Sequence, residues 1–176
     1  DQIGNDVAEY IELYNAGGAP APLAALKVYL VNGNGNSSYA SYALGEGELL
    51  PGAYLLLRGK DMAEPAGCAR HILMPAARDN VQNGAPDAIA LVDTSNGTVI
   101  DALSYEGCMN DVSLAGLNGR FDVCEGLGSP VARADSNAVS ASLSRFPDGL
   151  DTDANEGDFV LTGTLTPCTV NVQDAL

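Results

Sequence analysis

Residues 88–105 read AIALVDTSNGTVIDALSY, two runs of alternating apolar and polar residues on either side of SNG. Successive side chains of a strand point to opposite faces, so this alternation predicts two half-buried strands. Asn96 and Gly97 are residues that tolerate the positive φ angles of a tight turn, and the stretch reads as a β-hairpin.

The same rhythm extends in both directions. VAEYIELYN places Ile11 and Leu13 on one face and Tyr10, Glu12 and Tyr14 on the other. LKVYLV sets Leu26, Val28 and Leu30 opposite Lys27 and Tyr29, and LLPGAYLLLRG reads as a Pro51-Gly52 turn feeding a Leu-rich strand. SASLSRF and DFVLTGTL predict two more short strands. No window carries the i, i+3, i+4 apolar stripe of a capped helix. Short strands separated by turn signals predict one all-β domain over residues 1–176, an antiparallel β-sandwich. Residues 59–86 and the stretch from residue 107 to the SASLSRF strand break the rhythm and read as two long loops, of the kind that often carry function. VNGNGNSS reads as a flexible loop whose Asn-Gly steps are prone to deamidation.

With 8 Lys+Arg against 23 Asp+Glu, the formal charge is −15. A groove that tracks phosphates needs a basic stripe, and Lys27, Lys60 and a few scattered Arg supply none, so nucleic acid is excluded as an expected partner. No apolar run reaches the roughly 18 residues of a transmembrane helix. The chain opens on Asp1 with no signal peptide, which reads as a processed chain or a piece of one.

Cys68, Cys108, Cys124 and Cys168 are well separated, and His71 is the single imidazole. That set does not make a structural zinc site, which needs about four closely spaced N/S ligands. Two disulfides in an oxidising compartment fit better. Three pairings exist; the favoured one joins Cys108 to Cys124 across a short loop and leaves Cys68 for Cys168.

Several segments, in order, carry a family resemblance: EYIELYNAGG, LAALKVYLVNG, LLPGAYLLLRG, DAIALVDTSNGTVIDALSYEG, SLSRFPDGLDTDANEGDF and TLTPCTVN. Together they resemble a lamin-tail domain of the bacterial secreted or surface type. The resemblance implies an immunoglobulin-like sandwich without catalytic machinery, serving as a structural or interaction module. Two departures stand out. Thr166-Pro167-Cys168 replaces the family's T-P-G ending. Family members also carry an additional strand, of the form I-N-E-V-D-Y, immediately before a turn like DQIG, where this chain begins. On that resemblance VAEYIELYN is the second strand, and the sandwich lacks its first. A shortened chain, substitution by the C-terminal VNVQDAL, or a strand donated by a neighbouring subunit would each account for it.

One stretch has the composition of a metal site. In DGLDTDANEGDF, Asp151, Asp153 and Asn155 alternate as oxygen ligands do in a calcium loop, with Asp148 and Asp158 nearby. The EF-hand pattern breaks at Glu156 and Thr162, and Asx-turns are the plainer reading. No catalytic residues are predicted: a Ser–His–Asp arrangement would need His71, and no G-x-S-x-G elbow is present. Tyr10, Tyr14 and Tyr29 would share a sheet face, which suits protein binding or, more plainly, inter-sheet packing. The expected role is therefore a non-enzymatic, secreted or surface module whose partner is a protein, copies of itself included. The alternatives are a filament subunit completed by a donated strand and a calcium-dependent binding module.

Overall fold

A computed structural model describes residues 7–128 and 139–174. The described residues form eleven strands and one α-helix, the single turn α1 (Asn155–Asp158). The strands are β1 (Tyr10–Tyr14), β2 (Ala21–Pro22), β3 (Leu26–Asn32), β4 (Ser37–Ala43), β5 (Glu48–Leu49) and β6 (Tyr54–Gly59). They continue with β7 (Cys68–Met74), β8 (Asp87–Asp93), β9 (Thr98–Tyr105), β10 (Ser142–Arg145) and β11 (Phe159–Thr162). No helix among the described residues is long and apolar enough to cross a membrane.

Two sheets face each other, as expected of an all-β sandwich. One has the order β4-β3-β8-β9 and the other β1-β6-β7. Their facing sides bury Ile11, Val28, Leu30, Leu55, Leu57 and Met74 in a common core. Ile11 on β1 and Val28 and Leu30 on β3 fall on the face that alternation assigned to them. Burial at roughly 25 cal/mol per Å² of apolar surface is the main force holding the layers together.

Each sheet is apolar on its other face too. On β3, Tyr29 and Val31 join Ala88, Ala90, Val92 and Ala102 in a second core, which Met109, Val112, Leu114 and Val123 cover. These four belong to the segment after β9, which the Cys108–Cys124 disulfide ties back on itself with a Cα–Cα distance of 5.2 Å. On β6, Leu56 and Tyr54 are buried away from the sandwich interior against Cys168. The Cys68–Cys168 disulfide, Cα–Cα 4.9 Å, holds the C-terminal stretch there. Both favoured pairings are thus the ones formed, and each staples an irregular segment over an apolar sheet face.

The structure corrects several expectations. Residues 59–86 are not all loop, since β7 lies within them and runs parallel to β6, Leu57 opposite Ile72. The sandwich is therefore not wholly antiparallel. In the β8–β9 hairpin only Gly97 has a positive φ, and Gly97 N donates to Asp93 O at 2.8 Å, so the turn is wider than Asn96-Gly97 implied. VNGNGNSS is the tip of the β3–β4 hairpin, with Asn32 opposite Ser37. Tyr29 lies in the core beneath the 108–124 staple, away from Tyr10 and Tyr14, so the three do not make one face. Residues 170–174 form no strand; Asp174 accepts from Gly163 N at 3.0 Å and from the Thr162 and Thr164 hydroxyls. The C-terminal VNVQD therefore does not stand in for an additional sheet strand. Residues 1–6, which carry the DQIG turn of the resemblance, lie outside the described residues, as does part of the second long loop.

Candidate functional site

β10 and β11 pair with each other, Leu143 opposite Leu161, and stand apart from both large sheets. They carry Arg145, whose side chain is 11% exposed and is ringed by four carboxylates. Nη2 lies 2.5 Å from Asp101 and 3.4 Å from Glu125, and Nη1 lies 3.0 Å from Asp151 and 3.2 Å from Asp158. Nη1 also donates to Leu150 O at 2.8 Å, and the guanidinium sits 4.7 Å from the Phe159 ring centroid. A planar fork of five donors suits this site as a lysine would not.

Asn155 is the second organiser. Its Oδ1 accepts from Ser104 N at 3.0 Å, and its Nδ2 donates to Ala102 O at 2.9 Å and to Glu125 at 2.8 Å. Glu125 in turn accepts from Ala102 N at 2.8 Å. Side chains thereby satisfy the outer edge of β9 where a neighbouring strand would otherwise pair.

The five proposed calcium ligands do not converge. Asp148 accepts from the Tyr54 hydroxyl at 2.5 Å and from Asn171 N at 2.7 Å. Asp158 accepts from Thr152 N and Oγ1, both at 2.7 Å, and Asn155 is spent on β9. Only Asp151 and Asp153 come together, and they are joined by Glu125, with one oxygen of each within 4.8 Å of the others. Asp153 N lies 3.3 Å from Asp151 Oδ1, the Asx-turn contact that was the plainer reading. Glu125 and Asp101 were missed, because they come from distant segments; no spacing in the sequence relates them to the Asp151 loop.

Burial, more than neighbouring charge, shifts several of these carboxyls. Burial, partly offset by the bond from Ala102 N and reinforced by Asp101, pushes Glu125 up from its ordinary 4.5 to about 7. Burial also lifts Glu12 to about 7, against the lowering bond from Cys168 N and with the added repulsion of Asp148. For both, the folded state holds its proton more tightly than the unfolded chain. Their contribution is fully present below about 4.5 and is lost as pH rises through about 7. Asp158 works in the opposite sense. Burial would raise it, but the Thr152 bonds and the Arg145 charge leave it lowered, and its contribution disappears as pH falls below its ordinary 3.8. The melting midpoint is therefore expected to be higher at pH 5 than at pH 8, by on the order of 2 kcal/mol in stability after solvent screening. A midpoint that climbs steadily toward pH 8 would contradict these assignments.

His71 lies on β7, opposite Leu56, with its Nδ1 buried and unbonded. No nucleophile–His–carboxylate arrangement is formed around it among the described residues.

An open cleft lies beside these groups. A cleft of about 610 Å³ runs between β1, β9 and β10, and reaches the sandwich core at Val28, Ile89 and Leu91. Its lining carries the carboxylates Glu9, Glu12, Asp101, Glu106, Asp148 and Asp151, and Arg145 is its only lining cation among the described residues.

Hydrogen-bond parity shows which backbone groups meet the cleft. Gly59 N donates to Glu9 O and Asn15 N to Ala53 O, which turns residues 9, 11, 13 and 15 toward β6. The backbone N–H and C=O of Tyr10, Glu12 and Tyr14 therefore point to the other edge. Phe146 N donates to Asp158 O, which by the same parity leaves Leu143 facing away from β11. Among the described residues, no backbone hydrogen bond satisfies these outward groups. Compared with known proteins, the chain matches no family model, and no curated protein matches it.

Proposed function

We propose that this protein is a non-catalytic structural or interaction module of a secreted or cell-surface protein, of the kind its resemblance to lamin-tail domains implies. The observation that carries this reading is the cleft: an apolar floor flanked by an unsatisfied strand edge suits a polypeptide better than a small polar substrate. The two disulfides are compatible with an oxidising compartment.

The unsatisfied β1 edge also favours a second reading, a subunit that completes its fold with a strand from a copy of itself. Light scattering and electron micrographs of the purified protein separate the two. A stable monomer is the expected result, and large regular assemblies would establish the filament subunit instead. Repeating the measurement and a thermal melt with calcium and with a chelator tests the calcium-dependent alternative, for which Glu125, Asp151 and Asp153 offer neighbouring oxygens. A chelator-sensitive midpoint that Asp151→Asn abolishes would make calcium part of the function. Turnover of peptide, ester or glycoside substrates that is lost in His71→Ala would overturn the non-catalytic reading.

A further inference from the structure

The geometry points to a specific occupant of the cleft: one extended segment of another protein, basic and alternately apolar, inserted as a strand between β1 and β10. This rests on the interaction-module reading and adds the mode and chemistry of binding.

Three observations define the occupant. The first is the gap in strand order. β1 ends the β1-β6-β7 sheet and β10 ends its pair with β11, yet both line the same cleft. Tyr10 and Ser142 line it from its two sides. A strand placed between them would join the two sheets, pairing with the outward backbone of Tyr10, Glu12 and Tyr14 on one side and of Leu143 on the other. β9 is not available in the same way, because Asn155 and Glu125 already occupy the backbone of Ala102 and Ser104.

The second is the floor. Val28, Ile89 and Leu91 face the cleft from the opposing sheet, so alternate residues of the inserted strand must be apolar. The third is charge. Six lining carboxylates stand against a single guanidinium, Arg145, which two of them, Asp101 and Asp151, already engage together with Glu125 and Asp158. The outward residues of the inserted strand are therefore best matched by Lys or Arg. A second copy is poorly matched, since the chain carries 8 Lys+Arg against 23 Asp+Glu.

The chain has no Trp, so Ile100→Trp supplies a single reporter at a half-exposed position on β9 that lines the cleft. The probe is a short synthetic peptide alternating Lys and Val, titrated into that variant at low and high salt. A saturable blue shift of Trp emission is expected, weakened by salt. A peptide alternating Glu and Val should bind about tenfold more weakly or worse. Replacing the central Val by Pro, which removes a backbone donor and blocks ladder pairing, should abolish the shift. Glu106→Lys in the reporter background should weaken Lys/Val binding by roughly threefold to tenfold without changing the melting midpoint. No shift with the Lys/Val peptide, or an equal shift with the Glu/Val peptide, overturns the proposal. So does a blue shift that grows with protein concentration in the absence of peptide; a second copy would then fill the cleft, and the broader interaction-module reading would stand.

Discussion

Replacing Arg145 by Met is expected to lower the stability of this protein by about 3–5 kcal/mol at pH 7.5, the range seen when one partner of a buried ion cluster is removed. Met keeps much of the side chain's apolar length, so the loss is chiefly electrostatic. It strands Asp101, Glu125, Asp151 and Asp158 together with no cation among them, and Asp158 is only 2% exposed. It also removes the donor that satisfies Leu150 O.

The pH dependence distinguishes this from a packing defect. Glu125 and Asp101 are both held above their ordinary range by burial, and without Arg145 they rise further. Acidification protonates them and relieves the repulsion, so the deficit should shrink between pH 7.5 and pH 5. A cavity would leave it constant. Arg145→Lys should fall between the two, because an ammonium restores the charge but cannot reach all four carboxylates in one plane. Urea melts of the three proteins at both pH values are the measurement. A Met variant as stable as the parent at pH 7.5 would show that the cluster is open to solvent and carries little of the fold.

The stretches that were legible in the sequence share a physical property: their side chains alternate because one face meets a core and the other meets something different. Residues 88–105 are the clearest instance, and their hairpin forms with the expected strands on either side of SNG. β7 was not legible. CARHILM ends in three consecutive apolar residues between Pro65 and Pro75, and its partner β6 is parallel, so no turn links the two. A parallel pair needs a crossover connection, and that connection read as a loop. The 108–124 segment was illegible for a different reason. Met109, Val112, Leu114 and Val123 cover a sheet face from irregular backbone, where neither a period of two nor of 3.6 applies. Its disulfide was the only sign that it folds back.

The candidate site illustrates a further limit. Alternating Asp and Asn suggested converging oxygens, yet Asp148, Asn155 and Asp158 are consumed by backbone donors and by Tyr54, Ser104 and Thr152. Which carboxylates meet is decided by tertiary contacts, here by Arg145 collecting one from β9, one from beside Cys124, one from the loop after β10 and one from the end of α1.

The second large effect is expected at the C-terminal staple. Cys68–Cys168 spans 100 residues and Cys108–Cys124 spans 16. In the chain-entropy model, loops of these lengths contribute about 4.7 and about 3 kcal/mol. Cys68→Ala combined with Cys168→Ala should therefore be the more damaging double substitution, by roughly 1–2 kcal/mol. The two should also fail in different places. Cys168 is buried against Leu56 and Tyr54, and its N–H donates to Glu12. Without the bond, residues 163–174 are anchored by Asp174 to the Thr162–Thr164 turn and by Asn171, whose N–H donates to Asp148 and whose Nδ2 donates to Arg145 O. Limited proteolysis of the Cys68/Cys168 double variant should then cut first after Thr164, uncovering the outer face of β6. The Cys108/Cys124 variant should instead lose amide-exchange protection between residues 109 and 123, where Val112 and Phe121 exchange backbone bonds over the core. Apolar surface uncovered on either face should bind a hydrophobic dye, and the two patterns of cleavage and exchange should not overlap. If both variants lose protection everywhere at once, the staples close one cooperative structure, and the picture of two separately tethered covers on a preformed sandwich is wrong.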